Sequence, residues 1–348
     1  MLDPQFYLPY ADHHRLREHD YWPKPYQSAD FWGGSELTEL IKSLLELNSQ
    51  LGCVDFILPG LYASNVNDDW LARQKALIEE AESINSNNLN LVATVALSEQ
   101  VTRDQNQIHE ILEAADNWSV NTVYLVCEHP RGEYLVSDPN WLANVLDLTA
   151  GLRLKNKKVI IGYCSQQMLI ASCASATGVA SGTWMNVRSF PPDKFRMQYE
   201  DEIKQRTIWY YCPQTLSEYK IPFLDIASRL GVLQDVAPKK EFGSNYADIL
   251  FQGPQPSSVG FTEQAAFRHY LQCLRGQVTN ARRTTFNDTV DAHEKALDTA
   301  ETLLESLHNI GVRGQHRDFK EVVDTNRAAL SVLRATRGPI LRRYWDRL

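Results

Sequence analysis

Lys158-Val159-Ile160-Ile161-Gly162-Tyr163 runs into Cys164-Ser165-Gln166-Gln167, and further on Gly178-Val179-Ala180-Ser181-Gly182-Thr183-Trp184 runs into Asn186 and Arg188. A continuous apolar run bounded by polar residues is the pattern of a strand buried on both faces, so each transition reads as a strand with chemistry at its end. The segment between them is helix-like, and the unit is β-α-β. The second strand is built of small residues, which suits a crowded centre.

The same grammar recurs outward in both directions. Residues 5–11, 53–58, 89–97 and 122–127 predict strands upstream, and 207–212 and 247–251 predict two more downstream. Amphipathic helices alternate with them. One, capped by Ser35, carries Leu37, Leu40, Ile41, Leu44 and Leu45 on one face. Another starts at Asn67-Asp68-Asp69 and buries Trp70, Leu77, Ala81 and Ile84. Ile108, Ile111, Leu112 and Ala115 mark a third, and Leu142, Val145 and Leu146 a fourth after Asp138-Pro139. Eight strands alternating with helices predict an α/β chain, a (β/α)8 TIM-type barrel over residues 1–278. An open doubly wound sheet is the alternative, but it often shows a glycine-rich phosphate loop, and neither GxGxxG nor GxxxxGK[ST] occurs.

Residues 279–348 predict a C-terminal α-helical extension. Val290, Leu297, Ala300, Leu304 and Leu307 form one apolar seam and Phe319, Val322, Asn326, Leu330 and Leu333 another, with Gly311 to Gly314 between them. The seams suggest an antiparallel hairpin that packs on the barrel, on a second copy of the chain or on a partner protein.

Composition narrows the classes of function. A chain of 348 residues with 43% hydrophobic residues can bury a large core. No apolar run approaches the span of a bilayer, and Met1-Leu2-Asp3-Pro4 has no basic or hydrophobic signal segment, so a cytoplasmic, non-membrane protein is expected. Six cysteines, at 53, 127, 164, 173, 212 and 273, show no CxxC pair and read as reduced, mostly buried thiols. The formal charge of -8 argues against general attraction to nucleic acid, though a local basic patch stays open. From residue 279 onward twelve Lys/Arg face ten Asp/Glu, which gives +2 there and leaves -10 for residues 1–278.

In a closed barrel the residues just after each strand share one mouth. Those exits offer Asp12, His13 and His14 after the first strand, Tyr62 and Asn65 after the second, and Glu128 and His129 after the fourth. Cys164, Gln166 and Gln167 follow the fifth, Trp184, Asn186 and Arg188 the sixth, and Tyr211 and Gln214 belong to the seventh. Asp12 suits a general base or nucleophile, or a turn cap. Glu128 and His129 suit an acid/base pair, or an ordinary strand-ending turn before Pro130. Tyr62, Asn65, His13, Gln166 and Gln214 supply hydrogen bonds to a substrate. Arg188 suits an anion clamp beside the flat wall of Trp184, with Asn186 for a carbonyl or base edge; its structural alternative is an ion pair with Asp193 or Glu200. Cys164 is a weaker nucleophile candidate, since burial is the ordinary state of cysteine. His13, His14, Glu128 and His129 lack metal-ligand spacing, so no metal is expected, and no motif names a cofactor.

A barrel with an Asp at the first strand end, aromatic stacking groups and amide side chains loosely resembles the base-exchanging transglycosylases. The resemblance implies a carboxylate attacking a sugar carbon while the flipped base is stacked and read. The zinc-binding cysteine cluster of many such enzymes is absent from this sequence. Two readings of function follow. One is an enzyme or ligand-binding protein for a polar, phosphorylated or nucleoside-like ligand; the other is an inactive barrel serving as a structural subunit through its helical extension.

Overall fold

The computed structural model describes residues 1–11, 13–23, 32–196, 207–242 and 244–348. Six strands form one parallel sheet: β1 (Asp55–Ile57), β2 (Tyr62–Ala63), β3 (Asn90–Leu97), β4 (Thr122–Cys127), β5 (Lys158–Ile161) and β6 (Gly178–Val179). The order is β1-β3-β4-β5-β6, and β2 also pairs with β3. β1 and β2 are therefore one edge line broken at Pro59-Gly60. The break has a cause in β3: Thr94 Oγ1 donates to the Leu58 carbonyl at 2.6 Å, and its side chain fills the place that a Cβ on Gly60 would need.

Helices α1 (His14–Arg17), α2 (Gly34–Gln50), α3 (Asp68–Ile84), α4 (Glu99–Arg103), α5 (Gln105–Ala115) and α6 (Pro139–Leu154) alternate with these strands. Their starts are set by side chains that satisfy free N–H groups: Asn67 accepts from Trp70, Ser98 from Val101, Asp104 from Asn106, and Asp138 from Asn140 and Trp141. The predicted apolar faces of α2, α5 and α6 are buried, as are Trp70, Leu77 and Ala81 of α3.

After β6 the chain departs from the expected barrel. The parallel strands make a half-barrel of five positions, so the closed eight-stranded (β/α)8 barrel is not formed. Three expected strands account for the difference. Residues 5–11 make no strand, because Gln5 takes a positive φ of 53° and Pro9–Ala11 forms a 3-10 turn; the segment lies beside the sheet through a bond from Tyr62 N to Tyr7 O. Trp209–Cys212 is a strand, β7, but Leu216 at φ 53° turns the chain back and β7 pairs antiparallel with β8 (Ser217–Lys220). An apolar run of this length fits either partner, and the tight turn selects the local one. Residues 247–251 give way to the short helix α8 (Ile249–Gln252), which follows α7 (Ile221–Arg229).

Helices fill the side a barrel would have closed. α9 (Glu263–Ala281) packs on β7, and α10 (Phe286–Asn309), α11 (Val323–Thr336) and α12 (Gly338–Tyr344) complete the chain. The seam of α10 and α11 lies against α6 and the 3-10 segment Gln166–Ala174. Hence α6 is buried on both sides, with Trp141, Leu142, Val145, Leu146 and Leu148 all near zero exposure. Each such side chain contributes on the order of 1.5–3 kcal/mol. Arg337, between α11 and α12, forks onto both oxygens of Asp147 at 2.7 and 3.0 Å; one apolar core runs from Phe6 to Trp345, and a second gathers Tyr210, Tyr219, Leu224, Val236, Leu250 and Phe261.

Candidate functional site

The most unusual polar group against the sheet is Asp3, held among side chains of β4, the end of β5 and the segment beside β2. Its Oδ1 accepts from Gln5 N at 2.8 Å, and its Oδ2 accepts from the phenols of Tyr7 at 2.8 Å, Tyr163 at 3.1 Å and Tyr124 at 3.4 Å. Tyr124 stands on β4, Tyr163 follows β5, and Tyr7 lies on the segment beside β2, so three neighbouring pieces of backbone aim hydroxyls at one carboxyl. Gly162 makes this arrangement fit, because a Cβ there would meet the ring and hydroxyl of Tyr124. Gln5 and Tyr163 both hold left-handed φ values, 53° and 54°, without being glycine. Such strain survives only where surroundings enforce it, and it clusters at functional sites.

Burial raises the proton affinity of Asp3 above the ordinary carboxylate range, with the bonds from Gln5, Tyr7, Tyr163 and Tyr124 opposing it. The phenols of Tyr7, Tyr163 and Tyr124 are pushed up by burial and by the Asp3 charge, so they remain donors. Asp3 retains partial exposure while the three tyrosines are buried. Phe190 and Phe195 cover the tyrosines edge-on, with ring centroids 5.0 and 5.3 Å from Tyr7 and 5.1 Å between Phe190 and Tyr163.

The residues singled out from the sequence distribute around this cage. Glu128 and the Arg188 segment lie at the same end of the sheet, since Glu128 bridges in parallel to Phe190. Tyr62 donates its hydroxyl to Glu128 Oε2, which also accepts from Glu99 N at 2.9 Å, and Tyr62 stacks obliquely on Phe190 at 6.2 Å. His129 is 4% exposed, packs on Trp141 and shares Nδ1 with the Glu133 carbonyl at 2.9 Å; burial pushes its pKa down to about 4. It is neutral at pH 7. His13 precedes α1, and its Nδ1 is buried with no hydrogen-bond partner among the described residues, while His14 pairs with Glu18 at the surface. Asn65, Trp184 and Asn186 are exposed, and Trp184 meets Phe267 edge-on. Asp12 lies outside the described residues.

Five of the other candidates are held by their own protein. Gln166 accepts from Tyr134 and Tyr270 and donates to the Leu216 carbonyl; Gln167 exchanges two bonds with the Val136 backbone. Gln214 donates to the Ala237 carbonyl, and burial raises the Cys164 thiol, which sits on the Ile161 carbonyl. Arg188 is 2% exposed. It donates to Gly182 O at 2.8 Å, Thr183 O at 3.1 Å and Glu218 Oε2 at 3.3 Å, and its guanidinium lies 3.4 Å over the Tyr270 ring. Its ion-pair partner is Glu218; Asp193 pairs with Arg196 instead, and Glu200 lies outside the described residues. Glu218 also accepts from Tyr134 at 2.6 Å and from Arg317 at 2.8 Å. Burial acts to raise the Glu218 carboxyl, but Arg317 and Arg188 outweigh it and hold it below the usual range.

Asp3, Tyr7, Tyr124, Tyr163 and Glu218 carry the buried polar chemistry beside the sheet, and sequence reasoning missed all of them. A signal was present in Tyr124 and Tyr163, since a phenol inside an aliphatic strand must find a partner for its hydroxyl. Among the described residues no group of His, Cys, Asp and Glu is arranged to hold a metal ion. No helix among them is long and apolar enough to cross a membrane. No protein-family model, curated protein or solved structure matches the chain.

Proposed function

We propose that this half-barrel protein binds a polar, largely neutral ligand of nucleobase or nucleoside type at the strand ends, with Asp3 as the proton-exchanging group. One observation carries the reading: a buried carboxyl of raised proton affinity, on a residue that keeps partial exposure, held by three phenols on a strained backbone. A carboxyl of that kind works as general acid or base near its own pKa, and preorganised donors keep it in one orientation. Tyr62 and Glu128 form a second donor and acceptor pair beside the cage. A phosphorylated ligand is less favoured, because Arg188 is turned inward to Glu218. The test is calorimetric titration of a panel of free nucleobases and nucleosides into the wild-type protein, Asp3→Asn and Tyr163→Phe. Binding that is lost in both variants, with the fold intact by circular dichroism, supports the reading; binding that ignores both sinks it.

A second reading is favoured by the internal engagement of Arg188, Gln166, Gln167 and Gln214 and by the full burial of Phe190. In that reading the cage is a keystone of a non-catalytic scaffold that meets partner proteins through the outer faces of residues 279–348. It predicts that Asp3→Asn shifts the melting temperature while no member of the panel binds.

A further inference from the structure

Away from the strand ends, a cleft of about 560 Å³ opens between α9, α10 and the turn after β7. Its volume falls in the range of small-ligand sites. Leu169, Leu216 and Phe242 supply an apolar floor, and Lys239, Arg283 and Lys295 stand around it with a single carboxylate, Glu241. Three cations against one anion is an unusual local balance in a chain whose formal charge is -8. All three are exposed, and among the described residues none of them makes an ion pair. Arg283 serves the fold through its backbone, whose N–H donates to Thr289 and whose carbonyl accepts from Trp345, so its side chain is not needed there.

A second observation points to a ligand. His293 of α10 lines the cleft, is 9% exposed, and its Nε2 has no hydrogen-bond partner among the described residues. Buried polar nitrogens are almost always paired, and an orphan calls for an explanation. Burial pushes the His293 pKa down to about 4, so near neutral pH the ring is an uncharged part of the cleft wall. We propose that this cleft binds an organic anion with an apolar body, its acid group among Lys239, Arg283 and Lys295 and its body on the floor beside His293. The pattern suits neither bare phosphate, which has no use for the floor, nor a neutral hydrocarbon, which has no use for the cations.

The test uses the full chain and 8-anilinonaphthalene-1-sulfonate, an aromatic sulfonate whose fluorescence rises on transfer to an apolar site. Expected are saturable binding at one site per chain and displacement by sodium dodecanoate but not by inorganic phosphate. Binding should weaken at least tenfold both in Arg283→Glu/Lys295→Glu, which reverses the rim, and in Ala292→Trp, which fills the cleft. Circular dichroism and melting curves should confirm that both variants fold. No saturable binding to the wild-type chain would overturn the proposal, as would binding unchanged in both variants or displacement by phosphate as effective as by dodecanoate.

Discussion

Replacing Arg188 by Ala should unfold the protein far more readily than a surface substitution does. The guanidinium serves the Gly182 and Thr183 carbonyls, the Glu218 carboxylate and the Tyr270 face, and all of these lie inside the molecule. Truncating one member of a buried charge network leaves the others unpaired, at a cost of about 3–5 kcal/mol. Arg317 and Tyr134 stay on Glu218, which favours the lower end of that range. For a chain of 348 residues, an unfolding entropy of about 2.1 cal/mol/K per residue converts the loss to a drop in Tm of about 4–7 °C. Differential scanning calorimetry on wild type, Arg188→Ala, Glu218→Gln and the double variant measures both the loss and the coupling. The double variant should be less destabilised than the sum of the singles by about 0.5–3 kcal/mol, as expected of residues in direct contact. Arg188→Lys should fall between, since an ammonium keeps the charge but cannot reach two carbonyls and a carboxylate as a planar fork does. A Tm within about 1 °C of wild type for Arg188→Ala, or strict additivity in the cycle, would refute the network as a stabilising unit.

Acid should destabilise the fold through its buried histidines. His129, His269 and His293 are each lowered by burial to about 4, below their unfolded value, so their stabilising contribution is present above about pH 6.5 and is lost as pH falls toward 4. At pH 5 each contributes a loss of about 2 kcal/mol. Asp3 opposes this, because its raised pKa favours the folded state on acidification; urea titrations at pH 7, 6 and 5 should still fall steeply, and a flat profile would show that the histidines titrate normally. Gly162→Ala should cost about 1–3 kcal/mol by forcing Tyr124 out of the cage, read as a lower urea midpoint, with no change expected only if Tyr124 does not sit against Gly162. Deleting residues 279–348 should strip the cover from α6 and give an insoluble or molten product by size-exclusion chromatography and near-ultraviolet dichroism. A soluble, cooperatively melting truncation would show that the extension is a separate unit.

Much of the first half of the fold is legible in the sequence, because its signals are local and periodic. Val92 to Leu97 and Val123 to Cys127 are buried on both faces, as their apolar runs demand, and Asn67 and Asp138 mark helix starts. The Leu and Val seams of α10 and α11 are equally plain. What the runs at 207–212 and 247–251 did not contain was the identity of their partners. Trp209-Tyr210-Tyr211-Cys212 fits a parallel neighbour or a hairpin equally well, and the choice rests on the Leu216 turn. The polar centre was hidden for a related reason. Asp3 precedes every predicted element, Glu218 falls between predicted elements, and Arg317 comes after the expected barrel. Only tertiary packing brings them beside Tyr163, Arg188 and Tyr134. Strand-end position alone pointed to Glu128 and Arg188, and it carried no information on whether a side chain faces a ligand or the interior.

The cover that α11 lays over α6 also sets an order of events during synthesis. α6 is complete at Leu154, but its second face meets α11 only once Thr336 has been made, roughly 180 residues later. At about 5–20 residues per second the ribosome needs on the order of 10–40 s to bridge that interval. Throughout it the nascent chain holds a sheet layer whose α6 has one face uncovered. A chaperone that shields apolar segments would find its substrate there, and a stalled or prematurely terminated chain would be a target for degradation.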